Sequence, residues 1–237
     1  MGKLTIVSRS GEPFSDRQEA GRALADQLSA YIGQNPVVLA IPRGGIIVAR
    51  EITADLGGDL DIILAHKLRT PGQAELAMGS VAEDGSLFLN DEVVGEMGIS
   101  DEYIQEEKRR QMAEMQRRRE IIRRVRPKIP LETRTVIVTD DGTATGSTAQ
   151  AALWAVRLEH PTRLVLAMPV GPADTMARLA EDADETVCLR SPPFFAAVGQ
   201  FYIKFEAVED EEVVGILRSE RERELTISQT IVRRKGG

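Results

Sequence analysis

Short apolar runs that alternate with segments of helical periodicity constrain the fold of this chain more than any other feature. The apolar runs occupy residues 37–41, 60–68, 135–140, 163–170 and 185–190. Uninterrupted runs of this length are typical of strands buried on both faces of a parallel sheet. Helical segments lie between them, one ending at Gly57 and others at 147–160 and 173–182. The order predicts an α/β fold, a twisted parallel sheet flanked by helices and joined by right-handed crossovers.

Two further helices are predicted near the ends of the chain. Residues 15–33 begin at Ser15, a good helix cap, and place Ala20, Leu24, Leu28 and Ile32 on one face. Residues 209–223 have the pattern of a short closing helix, and we expect loose chain from there to Gly237.

The middle of the chain departs from the alternation. Residues 75–90 hold two short runs on either side of Asp84 and Gly85, a spacing that predicts a hairpin. A long helix should follow from Asp101 towards Arg126, where prolines end it. Because the apolar positions of this helix are sparse, we expect an arm laid over the domain and not a core layer.

A single domain is expected for residues 1–237, because this length is ample for one buried core. Its parts would be a core at about 14–70 and 130–190, an inserted hairpin and helical arm at about 71–129, and a hood at about 191–223. The sequence lacks the roughly 20 consecutive apolar residues of a membrane span and the apolar core of a secretory signal. With one cysteine, Cys188, it indicates a cytoplasmic protein without a membrane partner.

The charge balance bears on partners. The chain has 30 Lys and Arg against 37 Asp and Glu, a net charge of -7, which makes nucleic-acid binding unfavourable. Nine Lys and Arg residues nevertheless cluster between Lys108 and Arg126. They form either a solvated helix flank, which we favour, or a surface for phosphates or RNA. The cluster contains no aromatic residue that would stack on a base.

The most informative stretch runs from Thr135 to Leu153. A buried strand ends in two adjacent carboxylates, Asp140 and Asp141, and a loop of small residues then opens directly into a helix. Backbone N–H groups at such a helix start form a site for a phosphate monoester. The loop residues are Gly142, Thr143, Ala144, Thr145, Gly146, Ser147 and Thr148. The loop contains neither the lysine of a Walker A motif nor a GxGxxG pattern.

Two carboxylates beside a phosphate site would repel the anion unless something lies between them. A ribose with a 5′-phosphate suits both the carboxylates and the phosphate site. Asp140 and Asp141 can accept hydrogen bonds from the sugar hydroxyls, while the 5′-phosphate binds the loop. The alternative is a strand that ends in a solvated acidic turn.

The segment VIVTDDGTATGST (136–148) resembles the 5-phosphoribosyl-1-pyrophosphate (PRPP) signature of type I phosphoribosyltransferases. IPRGG (41–45) resembles the pyrophosphate loop of that family, in which a cis peptide often precedes the basic residue, here the Pro42–Arg43 bond. The wider pattern over about 14–215 resembles a little-characterised, bacterial-type branch of the family.

The resemblance implies a role for each matching residue. Residues 142–148 would bind the 5′-phosphate, and Arg43, Gly44, Gly45, Lys67 and Arg69 the pyrophosphate. The catalytic residues would be Asp140, Asp141, Arg43 and Lys67. A plain helix entry at Arg43 and a surface pair at Lys67 and Arg69 are the alternatives. The implied cofactor is Mg²⁺, bound mainly through substrate oxygens, with Asp140 and Asp141 as candidate ligands.

Other candidate residues have two interpretations each. Phe194, Phe195, Phe201 and Tyr202 form either a hood that stacks on an acceptor base or ordinary core. Glu83 and Asp84 belong either to a loop that closes over the site or to a hairpin tip. We do not expect His66 to transfer a proton.

The implied reaction transfers the phosphoribosyl group of PRPP to a nitrogen acceptor, a nucleobase or small amine, and releases pyrophosphate. A homodimer is implied as well. Two alternatives remain: a regulatory module of the same fold that senses a nucleotide or PRPP, or controls RNA, and a scaffold that has lost activity.

Overall fold

The computed structural model describes residues 2–235, except for the side chains of residues 74, 75 and 227–235. Its main sheet has six strands, all parallel, in the order β1-β9-β8-β7-β2-β3. Their bounds are β1 Lys3–Ser8, β2 Val37–Ala40, β3 Asp59–Ile62, β7 Thr135–Thr139, β8 Arg163–Val170 and β9 Glu185–Arg190. The predicted α/β class is confirmed, and β1 is a strand that the sequence pattern did not indicate.

Helices cover both faces of this sheet. They are α1 Arg17–Gln27, α2 Gly45–Leu56, α5 Ser147–Arg157, α6 Ala173–Leu179 and α7 Asp210–Lys235. Val38 and Ala40 of β2 point to a core shared with α1 and α2, whereas Val37 and Leu39 point to a core shared with α5 and α6. This alternation explains why the strands are apolar at every position.

The apolar run at 60–68 forms two strands and not one, so that prediction is wrong. Strand β3 ends at Ile62 in the main sheet, and β4 Ala65–Thr70 belongs to a separate antiparallel sheet. In the second sheet β4 pairs with β5 Gln73–Ala82, and β5 pairs in turn with β6 Leu87–Leu89. The run shows no boundary because Ile63 and Leu64, which lie between the two strands, are apolar and buried as well. The predicted hairpin at Asp84 and Gly85 is confirmed between β5 and β6.

The long helix is present, as predicted, as α4 Asp101–Val125, after a short helix α3 Asp91–Glu96. Its expected role as an arm outside the core is wrong. Ile104, Met115 and Ile122 are buried against the main hydrophobic core, and α4 packs on β4 and α7. Few apolar residues are enough to pack α4 against the core, because only one narrow stripe of the helix contacts the small sheet.

The helix ends differ in detail from the predictions. The side chain of Asp16, not of Ser15, caps α1 by accepting a hydrogen bond from the N–H of Glu19. Ile32 is 59% exposed, because α1 ends at Gln27 and a 3₁₀ turn, Ser29–Tyr31, changes the direction of the chain. Helix α7 continues beyond 223 to Lys235, and residues 236 and 237 lie outside the described residues. Over the part of the chain that the structure describes, every helix is too short or too polar to cross a membrane.

Candidate functional site

Two of the predicted loops meet at the carboxyl end of the sheet. Strands β2 and β7 are direct neighbours, with Ala40 opposite Thr139, so the loops that follow them leave the sheet side by side. The Pro42–Arg43 bond in the first loop is cis, as the family resemblance implied. The second loop begins with Asp140 and Asp141.

The contact between these loops requires glycine. A Cβ atom on Gly44 would lie 1.9 Å from Oδ2 of Asp141, and one on Gly45 would lie 2.9 Å from Cα of Asp140. The backbone of residues 44–45 therefore lies directly against the acid pair. Gly45, which the sequence assigned to pyrophosphate, directs its N–H toward the Asp140 carboxylate, where it favours the charged form.

The acid pair is electrostatically asymmetric. Burial and the neighbouring charge of Asp141 raise the pKa of Asp140 well above its ordinary value. Burial also raises the pKa of Asp141, whereas hydrogen bonding to Arg17 and its charge act in the opposite direction. The N–H of Asp141 donates to Oδ1 of Asp140 at 2.8 Å. Because the Arg17 guanidinium contacts Asp141, a negative charge shared by the pair is favoured on Asp141 over Asp140.

Arg17, at the start of α1, is a site residue that the sequence analysis missed. Its Nε and Nη2 atoms each lie 2.8 Å from Oδ2 of Asp141. The hydroxyl of Tyr202 donates to the backbone oxygen of Asp141 at 2.6 Å. Asp141 is thus held by residues near both ends of the chain, a relationship without any local sequence signal.

The loop at 142–148 has the backbone of an anion site. Gly142 and Gly146 have positive φ angles of 147° and 80°, which a side chain would disfavour. Within the loop, the N–H of Gly146 donates to Oγ1 of Thr143 at 3.0 Å. No described residue accepts a hydrogen bond from the N–H groups of Ala144, Thr145, Ser147 or Thr148. The start of α5 therefore has unpaired donors.

A cavity of about 260 Å³, with both polar and apolar walls, lies beside these loops. It is lined by Pro42 of the first loop, by His66, Lys67 and Arg69 of β4, by Arg118 of α4 and by Thr148 of α5. The second sheet thus brings Lys67 and Arg69 close to both loops. His66 pairs through Nδ1 with Oε1 of Gln111 at 3.0 Å.

Arg118, which the sequence analysis assigned to a solvated flank, is a wall of this cavity. Its Nε lies 3.3 Å from Oδ1 of Asp210 in α7. The adjacent residue, Glu209, pairs with Arg43 across 3.3 Å. Two consecutive acidic residues at the start of α7 therefore face two cations of the candidate site.

The four aromatic candidates do not form one exposed platform. Phe201 and Tyr202 are buried, and Tyr202 packs on Phe14 with ring centroids 5.6 Å apart. Phe195 packs on Phe201 at 4.9 Å. Phe194 alone is strongly exposed, at 85%. For Phe201 and Tyr202 the core interpretation is correct, because their rings fill the space between the C-terminal segment and α1.

Glu83 serves as an anchor at the hairpin tip. It is buried, and Nε of Arg123 donates to its Oε2 at 2.8 Å. Asp84 accepts a hydrogen bond from the N–H of Ser86 and lies 3.6 Å from Lys128. These bonds fix the tip as a structural turn, so the interpretation as a closing loop is wrong for this conformation.

The fold and the site define an α/β protein in which an open helix start lies beside two carboxylates and a glycine loop. Comparison with known proteins adds the family, since the phosphoribosyl transferase domain family matches residues 15–206. The chain belongs to the phosphoribosyl transferase domain family.

Two relatives are similar over most of the chain. Rv0571c of Mycobacterium tuberculosis H37Rv, provisionally named a phosphoribosyl transferase, is 46% identical over 204 residues, which are 86% of this chain and 46% of that protein. The chain thus spans about half the length of that relative. The crystal structure of TT1426 from Thermus thermophilus is 42% identical, with a TM-score of 0.83 over 87% of this chain and 98% of that one.

Proposed function

We propose that this protein is a Mg²⁺-dependent phosphoribosyltransferase that transfers the 5-phosphoribosyl group of PRPP to a nitrogen acceptor, a nucleobase or small amine, and releases pyrophosphate. The observation that carries the proposal is the contact between the acid pair and residues 44–45, beside a helix start with unpaired N–H donors. The helix start would take one anion, the acid pair a diol, and the loop at residues 44–45 a second anion.

Each part of the substrate has a matching group. The unpaired N–H groups of Ala144, Thr145, Ser147 and Thr148 would bind the 5′-phosphate, together with the hydroxyls of the last three. Asp140 and Asp141 would accept hydrogen bonds from the ribose hydroxyls. Arg43, Lys67 and Arg69 would bind the pyrophosphate, assisted by the backbone of Gly44, whereas Gly45 would act through Asp140.

The acid pair also fits the metal that the family resemblance implies. Mg²⁺ prefers oxygen ligands and commonly binds through one or two carboxylates together with substrate phosphates. Asp140 and Asp141 supply carboxylate oxygens next to the proposed pyrophosphate loop. When bound, the ion would offset the negative charge that develops on departing pyrophosphate.

The reaction places simple demands on the protein. Displacement of pyrophosphate at the anomeric carbon passes through a ribosyl-cation-like transition state, so no covalent nucleophile is needed. The chain residues would hold both anions at fixed positions, exclude water and stabilise the leaving group through preorganised charges. Arg43, Lys67 and Arg69 meet the last demand.

Isothermal titration calorimetry with PRPP and Mg²⁺ tests the binding half of this proposal. The double variant Asp140→Asn/Asp141→Asn should bind PRPP at least about tenfold more weakly than the wild type, a loss of about 1.4 kcal/mol. Asp55→Asn, an exposed carboxylate on α2, is the matched control and should bind normally. Equal affinity in the double variant and the wild type would contradict the assignment.

Pyrophosphate release tests the catalytic half. The wild type should release pyrophosphate from PRPP with at least one member of a panel of purines, pyrimidines and small amines. PRPP binding without release of pyrophosphate for any acceptor would favour the regulatory alternative.

Light scattering during gel filtration tests the implied homodimer, and cell fractionation tests the cytoplasmic location.

A further inference from the structure

Arg17 is a buried cation at the meeting point of four segments. The residue is only 7% exposed, although it is the first residue of a surface helix. Its guanidinium contacts Asp141, donates through Nη1 to the backbone oxygen of Glu206 at 2.9 Å, and stacks 3.9 Å from the ring centre of Phe205. Its Nε would also lie 3.1 Å from a Cβ atom on Gly44.

These contacts fix the orientation of Asp141. Both N–H contacts of Arg17 reach the same oxygen, Oδ2, which lies against the backbone of Gly44. Among the other residues that the structure describes, Arg17 included, none donates a hydrogen bond to the second oxygen, Oδ1 of Asp141. One carboxylate oxygen is therefore anchored, and the other retains its capacity to accept.

We propose that Arg17 is a positioning residue of the sugar-phosphate site, which anchors Oδ2 of Asp141 against the pyrophosphate loop and leaves Oδ1 to accept a hydrogen bond from a ribose hydroxyl. The inference rests on the proposed function, because it assigns a role relative to PRPP. It adds to the site a residue that lies far from the signature segment in sequence.

The local charges support this role. Asp140 and Asp141 place two carboxylates beside a substrate that carries several negative charges. A cation behind the pair offsets this repulsion without blocking the sugar side. Because an arginine cannot lose its charge in a protein, the offset is permanent.

The C-terminal segment keeps Arg17 in place. Residues 201–206, here called the strap, pair with the chain before α1: the N–H of Phe14 donates to Phe201 and the N–H of Ile203 donates to Phe14, each at 2.8 Å. The strap supplies Phe205 and the Glu206 carbonyl to the guanidinium, and Tyr202 to the backbone of Asp141. Arg17 and Asp141 are thus fixed by one continuous segment.

A double-mutant cycle on PRPP binding tests whether Arg17 acts through Asp141. Calorimetry with PRPP and Mg²⁺ should show that Arg17→Met weakens binding about tenfold and that Arg17→Lys recovers part of the loss. In an Asp141→Asn background, Arg17→Met should cause less than about a twofold further loss. The melting temperature of each variant reports whether it is folded. If Arg17→Met does not fold, Arg17→Lys replaces it in the double-mutant cycle.

The control is Arg190→Met. Arg190 also stacks on an aromatic ring beside the strap, 3.6 Å from the ring centre of Phe14, but it contacts neither carboxylate. Its variant should bind PRPP normally. Full additivity of Arg17→Met and Asp141→Asn, or an equal loss in Arg190→Met, would overturn the inference while wild-type binding still supports the proposed function. A wild type that does not bind PRPP would refute the function itself.

Discussion

Nη1 of Arg123 in α4 donates to Oδ1 of Asp61 in β3 at 2.7 Å, where Asp61 is only 1% exposed. The same guanidinium donates to both oxygens of Glu83 at the hairpin tip. Arg123 therefore joins the main sheet, the small sheet and the long helix. Since β4 carries Lys67 and Arg69 to the cavity, this ion pair also sets the position of the second sheet at the site.

Replacing Arg123 with methionine should lower the free energy of unfolding by about 3–5 kcal/mol, because it leaves Asp61 buried without its cation and leaves Glu83 only the longer contact to Arg119, at 3.7 Å. Urea denaturation followed by circular dichroism measures the change. Arg124→Met is the control: the neighbouring residue is exposed and has no ion pair among the described residues, so its variant should stay within about 0.5 kcal/mol of the wild type. Similar losses in both variants would show that helix composition, and not the buried pair, is responsible.

Replacing Gly44 with alanine should damage the site and the fold together. The new methyl group would overlap Oδ2 of Asp141, so that carboxylate must leave Arg17. We expect a loss of about 1–3 kcal/mol in stability and at least about tenfold in PRPP affinity.

Gly215→Ala is the matched substitution for Gly44→Ala. Gly215 lies inside α7, where a Cβ atom would meet nothing within 4 Å. The change should raise stability by about 0.5–1 kcal/mol and leave PRPP affinity unaltered. A Gly44→Ala variant that binds PRPP as tightly as Gly215→Ala would refute the tight contact between the loops.

Removing the charge of Glu209 should strengthen anion binding. Glu209 competes for Arg43, which we assign to pyrophosphate, and an exposed ion pair of this kind contributes about 0–1 kcal/mol. Glu209→Gln should therefore raise the affinity for pyrophosphate by up to about fivefold in calorimetry at low salt. Glu211→Gln, which removes an equal charge from the same helical turn, has no ion pair among the described residues and should change the affinity less. Equal gains would assign the effect to overall charge and not to Arg43.

Stability should fall in alkaline solution because of Cys188. The thiol is fully buried in β9, and burial raises its pKa from 9.0 to about 12. Between these values the unfolded chain releases a proton that the folded protein keeps, so folding becomes less favourable as the pH rises, by up to about 1.4 kcal/mol per pH unit. Chemical denaturation at pH 8 to 11 should show a smaller decline for Cys188→Ala. An unchanged pH dependence would contradict the assignment.

The parts of the molecule that follow from local sequence were predictable, and the parts that depend on contacts between distant segments were not. The strand, loop and helix around Asp140 carry apolar runs, glycines and a helix start, so their placement could be anticipated. Arg17 has no such signal, because its partner lies 124 residues away. The break between β3 and β4 was hidden for a related reason, since the apolar residues Ile63 and Leu64 continue across the bend and the two strands differ in their pairing partners.

The aromatic residues near 194–202 show the same limit in another form. Their composition suits a stacking surface as well as a core, and only the pairing of Phe14 with Tyr202 decides between the two. Likewise, the arginines of α4 look equivalent in sequence. Arg123 and Arg126 are drawn into the protein by acidic partners on other elements, whereas Arg124 stays in solvent.

The attachment of Asp141 to Arg17 and to Tyr202 has a consequence for biosynthesis. A ribosome delivers Arg17 early and Tyr202 185 residues later, so the Asp141 carboxylate cannot reach its final position until the strap has emerged. A nascent chain can form most of the parallel sheet before that moment, while the candidate site around Asp141 is still incomplete. Competence for ligand would then arrive abruptly, with the last stretch of the family's matched region, and not gradually as the sheet grows.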